Sequence, residues 1–207
     1  FVRVDSRKMP YDIFVYTKGM ELHDGDKVVV KIKEWPADTK SPTGEIIDVL
    51  GPAGDNDTEM HAILAEFNLP YKYPEEVEKA ADAIPELIPA EEIARRRDFR
   101  GVTTFTIDPA DAKDFDDALS IRPVGENRWE VGVHIADVTY YVQEESIIEA
   151  EGRERATSVY LVDRTIPMLP EKLSNYLCSL RPDEEKLCFS AVFEMDADLN
   201  ITNEWLG

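Results

Sequence analysis

The chain has no apolar run long enough to span a bilayer, which excludes a transmembrane helix. Cysteine is scarce: Cys178 and Cys188 are the only two. With no signal peptide in the sequence, free thiols in a reducing, cytoplasmic setting are expected rather than a disulfide. Histidine is scarce too, and His23 and His61 have no companion ligands nearby, so no chemistry is assigned to them. Positive charge is short as well. Lys and Arg total 23 against 43 Asp and Glu, a net charge of -20, and this weighs against nucleic acid as a partner, because such binders carry a basic footprint. The acids of 75–78, 91–92 and 183–185 read as solvated faces, however, so the total hides local variation.

What is present is enough for folded cores. Hydrophobic residues make up 43% of the 207, with three Trp, eight Tyr and eight Phe, which argues against disorder. Residues 1–52 alternate and turn like a small β-barrel, with strand-like runs at Phe1 to Val4, Asp12 to Tyr16, Lys27 to Trp35 and Gly44 to Leu50. These are most of an oligonucleotide-binding barrel. Phe1, Tyr11, Phe14 and Tyr16, among Arg3, Arg7, Lys8 and Lys18, either stack bases and meet phosphates or fill the barrel core, and for any one aromatic the core is the expectation.

Residues 53–100 change to a helical period. Met60, Ile63, Leu64 and Phe67 make one apolar face, and Val77, Ala80, Ala81 and Ile84 a second. Asp57 or Thr58 is the expected cap of the first helix, while Pro74 suits the first turn of the next. A third helix over Pro89 to Arg97 ends in Arg95-Arg96-Arg97. That triplet either touches phosphate or complements the helix dipole, the second being expected. Further on, Ala118 to Pro123 and Arg128 to Ala136 form a hairpin. It has Trp129, Val131, Val133 and Ile135 on one face and Glu130, Gly132 and His134 on the other. A capping box at Ser146 and Glu149 starts a helix to about Arg155. A second hairpin turns at 196–200. Neither that turn nor the stretch from Asp108 has the glycine and glutamate of a calcium loop. His134 and Asp137, at the end of their strand, read as hydrogen-bonded structure.

The chemistry is expected between the strand-like run 101–107 and the first hairpin. There Asp108, Asp111, Asp114, Asp116 and Asp117 crowd into ten residues. Carboxylates this close drive one another toward the neutral acid unless a cation sits among them. A hard divalent ion such as Mg²⁺ meets that need with one or two carboxylates, keeping its other positions for water and phosphate oxygens. Metal-assisted phosphoester chemistry follows as the expected class.

The acids at 108, 114, 116 and 117, set in Thr106 to Ala118, resemble the signature of the ribonuclease II/ribonuclease R superfamily, the RNB-type exoribonucleases. The resemblance continues through 133–138, 155–160, 166–175 and 177–180. Its nearest branch is bacterial ribonuclease R. It implies a β-rich α+β architecture in three parts: an OB-like cold-shock barrel over 1–52, a helical connector over 53–100 and the N-terminal part of a mixed α/β RNB nuclease domain over 101–207. It also implies a hydrolytic, processive 3′-to-5′ exoribonuclease that uses Mg²⁺ (or Mn²⁺), takes single-stranded RNA and releases nucleoside 5′-monophosphates. Residue by residue, Asp108 and Asp117 match metal positions, Asp114 supports the same cluster, Asp116 matches the position critical for the chemical step, and Tyr160 matches an aromatic that stacks on an RNA base. Asp111 is a bystander.

Ala156 stands where ribonuclease R often has glycine, which puts the local backbone geometry at issue. The family's other aromatic clamp, its catalytic arginine, its first cold-shock barrel and its basic C-terminal barrel have no counterpart in the chain. The expectation is therefore a fragment, monomeric, without membrane partner and inactive alone. A non-catalytic RNA-binding module and an acidic protein-interaction domain are the alternatives.

Overall fold

The computed structural model describes residues 1–6, 9–17 and 19–207. Arg7, Lys8 and Lys18, three of the cations set beside the barrel aromatics, lie outside the described residues. The chain forms two compact units, Phe1–Lys72 and Tyr73–Gly207, so the stretch 53–100 is divided between them. No helix among the described residues is long and apolar enough to cross a membrane.

In the first unit, β1 (Phe14–Val15), β2 (Asp26–Glu34) and β3 (Thr43–Pro52) form a sheet in the order β1-β3-β2. The run at Phe1 to Val4 is not a strand. It gives a single bridge, Val2 to Ile13. Ile13, Val15 and Ile46 are the buried core, closed by Val2, Val28 and Val30. Helix α1 (Asn56–Glu66) sits with this unit, its Leu64 fully buried and its Glu59 paired to Lys27 on β2 at 2.6 Å. The cap is Asp55, not Asp57 or Thr58: its carboxylate accepts from the Thr58 amide, while the Thr58 hydroxyl turns inward to the Leu50 carbonyl. Phe1 and Tyr16 are 79% and 75% exposed and Tyr11 is 43% exposed, so these three do not fill the barrel core. They lie in edge contacts at the surface, Phe1 on Phe14, Phe14 on Tyr16 and Tyr11 on Trp35.

The second unit opens with α2 (Glu75–Asp82) and α3 (Ala90–Arg95), then builds a five-stranded antiparallel sheet. Its strands are β4 (Thr104–Phe105), β5 (Asp117–Gly125), β6 (Arg128–Ala136), β9 (Cys188–Met195) and β10 (Ile201–Leu206), in the order β10-β9-β6-β5-β4. Between β6 and β9 lie α4 (Val138–Tyr141), α5 (Ile147–Arg155), the small ladder of β7 (Val159–Tyr160) on β8 (Thr165–Ile166) and a π-helical turn, Lys172–Leu177. Val77 and Ala81 of α2, Ala136, Ile148 of α5, Leu169, Leu173, Leu177 and Cys178 make the main apolar core.

The central strand β6 alternates as its sequence predicts, but the face that is buried is the polar one. Glu130, His134 and Ala136 are 6%, 3% and 6% exposed, whereas Trp129 and Ile135 are 45% and 48% exposed. Segment 96–99 explains this. Arg97 donates to Glu130 at 2.5 Å, Arg122 on β5 reaches the same carboxylate at 2.8 Å, and Phe99 sets its edge against His134. His134 is bridged by Ser190 of β9 at 2.7 Å and Ser120 of β5 at 2.8 Å, so both ring nitrogens are satisfied inside the sheet. Burial first, and then the charge of Arg97, hold its pKa below the usual value, so the ring stays neutral. Position 132 has room only for glycine, because a Cβ there would stand 2.4 Å from the Ser120 hydroxyl and 2.6 Å from the His134 ring.

The arginine triplet is likewise consumed by acids rather than left to the helix dipole. Arg95 and Arg96 bond Glu92, and Arg96 also reaches Asp137 at 2.7 Å and the Cys188 carbonyl. Asp137 in turn caps α4 through the Tyr140 amide. Of the capping box at α5, half forms: Ser146 accepts from the Glu149 amide, while the Glu149 side chain bonds Arg153. Cys178 and Cys188 are free thiols, pushed up by burial to about 12 and about 11, so neither is a thiolate at neutral pH.

Ala156 ends α5 with φ 63, in the left-handed region where an L side chain crowds its own carbonyl. Its amide closes the helix on the Gly152 carbonyl. Ala156→Gly is expected to stabilise the chain by about 1 kcal/mol, seen as a higher urea midpoint with an unchanged slope.

Candidate active site

The acidic stretch is an ordered loop. Asp108 precedes a turn closed by the Ala112 amide on the Pro109 carbonyl, residues 112–116 belong to no helix or strand, and Asp117 is the first residue of β5. Two independent sets of backbone and hydroxyl bonds pin it. Ser179, fully buried just after the π-helical turn, donates its hydroxyl to the Lys113 carbonyl at 2.8 Å and accepts from the Phe115 amide at 3.1 Å, so Asp114 is clamped on both flanks. The Leu180 amide holds the Phe115 carbonyl at 2.8 Å, and the Ala136 amide, at the end of β6, holds the Asp116 carbonyl at 3.0 Å. The sequence signal for this was the stretch 177–180, quoted as part of a motif without a role for its serine.

Four of the five acids act on one another. Partial desolvation by the loop, and then the charges of Asp114, Asp117 and Asp108, push the Asp116 carboxyl above its usual pKa. Asp111, in the turn, is not among these charges. Every other Asp or Glu with a resolved shift in the chain is lowered by a cationic or hydrogen-bonding partner, such as Glu130 beside Arg97 and Arg122. Among the described residues Asp108, Asp114, Asp116 and Asp117 make no ion pair, and Asp114 is met instead by the Tyr160 hydroxyl, which donates to its Oδ2 at 2.9 Å. That bond is the first cause, ahead of burial, of a Tyr160 phenol raised above its usual pKa. The ring itself is 67% exposed. The structure thus brings together all five residues singled out for the site: Asp108, Asp114, Asp116, Asp117 and Tyr160.

Clustered hard oxygen donors suit Mg²⁺ or Mn²⁺ by chemistry. Among the described residues no three carboxylates converge as a complete metal cage. Mg²⁺ does not need one, because one or two carboxylates with water and phosphate oxygens complete its octahedron. Asp108, Asp114 and Asp117 are the candidate ligands, of which one or two at a time would serve. His134 and Asp137, at the same end of the β5–β6 pairing as Asp117, are spent on Ser120, Ser190, Arg96 and the α4 cap.

Comparison with known families separates this arrangement from a chance cluster. A sequence family described as RNB domain matches residues 96–207, more than half of the chain. The chain belongs to the RNB domain family. A second match, described as cold shock domain, covers residues 1–74 and so takes in α1 together with the barrel. Among curated RNB relatives, ribonuclease R of Aquifex aeolicus is 45% identical over 181 residues, 87% of this chain and 26% of that protein. DIS3-like exonuclease 2 of Xenopus tropicalis is 40% identical over 200 residues, 96% of this chain and 24% of that protein. The chain therefore spans about a quarter of the length of these relatives. Among solved structures, Mycoplasma genitalium RNase R in complex with double-stranded RNA superposes with a TM-score of 0.83 at 27% identity, over 95% of this chain and 35% of that one. Yeast Ssd1, described as a pseudonuclease, superposes with a TM-score of 0.68 at 26% identity, over 99% of this chain and 27% of that one. The RNB family and its fold are thereby shown.

Proposed function

We propose that this chain supplies the cold-shock barrel and the acidic half of the active site in a longer, metal-dependent, hydrolytic exoribonuclease. In this reading the enzyme degrades single-stranded RNA from its 3′ end to nucleoside 5′-monophosphates. The observation that carries the reading is Asp116: a carboxyl raised by partial burial and then by three neighbouring acids, and making no ion pair among the described residues. Folding keeps such a cluster together only because Ser179, Leu180 and Ala136 hold its backbone, a cost that makes sense at a site completed by a ligand. A bound Mg²⁺ would supply charge neutralisation at the scissile phosphate and activation of the attacking water. Asp108, Asp114 and Asp117 hold that ion, while Asp116, with its raised pKa, acts at the phosphate itself. Tyr160 offers its exposed ring to a base of the strand, a contact tolerant of sequence because every base has a π-face. The exposed aromatics Phe1, Tyr11 and Tyr16 give the barrel a similar stacking surface.

The chain alone does not turn over RNA in this reading, since the catalytic arginine and second aromatic clamp of the family find no match in it. The test is RNA labelled at its 3′ end, incubated with the full-length protein in Mg²⁺ and with the isolated chain. Immediate release of labelled 5′-monophosphate by the first, abolished by EDTA, and none by the second are the expected results. Release from the 5′ end, or turnover in EDTA, overturns the mechanism. A non-catalytic RNA-binding role, favoured by the likeness to the pseudonuclease Ssd1, predicts binding without release in either sample.

A further inference from the structure

Stacking on a base needs only the ring of Tyr160, and phenylalanine would serve. Yet the hydroxyl is not left to water: it donates to Asp114 across 46 residues of chain at 2.9 Å, although the side chain is 67% exposed. Both ends of this bond are held independently. Tyr160 lies on β7, paired to Thr165 of β8, with the turn closed by the Leu161 amide on the Arg164 carbonyl and the strand start tied by the Met168 amide to the Ser158 hydroxyl. Asp114 is clamped on either side by Ser179. A phenol donating to an ionised acid makes a charge-assisted bond and uses only one of the carboxylate's acceptor sites, leaving the others for a cation.

We infer that Tyr160 is a positioning residue for the cation site: its hydroxyl fixes the Asp114 carboxylate, so that the ring that receives a base and the acid that receives the ion form one rigid pair. This inference rests on the reading of the 108–117 loop as a divalent-cation site. It goes beyond base stacking in assigning the hydroxyl a separate task. Outer partners that orient a metal-binding carboxylate are worth about tenfold or more in metal affinity.

The test is calorimetric titration of Mn²⁺ into the chain, wild type and Tyr160→Phe, alongside binding of a fluorescent single-stranded oligoribonucleotide in EDTA. Tyr160→Phe is expected to weaken Mn²⁺ binding by about tenfold. Tyr160→Ala is expected to weaken it to the same degree and to bind RNA less tightly than Tyr160→Phe. Mn²⁺ binding by Tyr160→Phe equal to or tighter than wild type overturns the inference and leaves the cation site standing. A wild-type chain with no saturable Mn²⁺ site overturns the inference and the cation reading together.

Discussion

Asp116→Asn in the full-length protein is expected to slow RNA degradation by roughly a hundredfold or more with RNA affinity unchanged. The substitution keeps shape and removes charge, so it isolates what the carboxyl does. Asparagine can neither accept a proton as a base nor contribute a negative charge to a divalent ion. Stability should move the other way. Because the folded-state pKa of Asp116 is raised above its unfolded value, its contribution to stability is present below the unfolded pKa and is lost as pH rises through the folded one. At neutral pH, ionised Asp116 is therefore a net cost to the fold, and removing its charge relieves Asp108, Asp114 and Asp117. The metal-free variant should melt no lower than wild type, while added Mn²⁺ should raise the melting temperature of wild type more than that of Asp116→Asn. Single-turnover kinetics and thermal melts check the two halves. A variant that degrades RNA at the wild-type rate would remove Asp116 from the chemistry.

Leu173→Ala carries the largest expected effect on stability, about 2–5 kcal/mol. Leu173 is fully buried in the core formed by α2, α5, Ala136 and the π-helical turn, where close packing leaves a cavity on truncation. Its carbonyl also receives the Cys178 amide at 2.8 Å, the bond that closes the wide turn and delivers Ser179 to the acidic loop. The variant should thus lose affinity for Mn²⁺ under conditions where it is still folded, because the clamp on Lys113 and Phe115 loosens with the turn. Urea unfolding measures the first effect and calorimetry the second. Leu199→Ala is the control: Leu199 is 74% exposed in the β9–β10 turn, and its loss should fall within about 0.5 kcal/mol.

Local chemistry made much of this structure legible beforehand. Alternation placed both hairpins of the second unit, and the spacing of Met60 to Phe67 and Val77 to Ile84 placed two helices. The crowding of Asp108 to Asp117 located the candidate site, because like charges that close are informative without any partner. What stayed hidden depends on distant partners. The sequence of β6 shows two faces but not which one is covered. That is decided by Arg97 and Phe99, some 33 residues away for the Arg97–Glu130 pair. For the same reason Arg96 and Arg97 read as a dipole complement when they are cross-links to Asp137 and Glu130, and Ser179 carried no sign that it would grip residue 113 from 66 positions off. The four-residue start of the barrel failed differently. Phe1 to Val4 has strand composition but forms one bridge, as short runs with few partners do.

The inverted sheet has a consequence for handling the protein. Ile121, Trp129, Ile135 and Phe189 are exposed on one face of neighbouring strands, Ile135 directly opposite Phe189, a surface that favours sticking between molecules. What keeps copies apart in water is the charge of -20, which is long-range repulsion and not a property of that face. Colloidal stability is accordingly borrowed from ionised carboxylates: it weakens as salt screens them and vanishes as pH approaches the isoelectric point near 4.5.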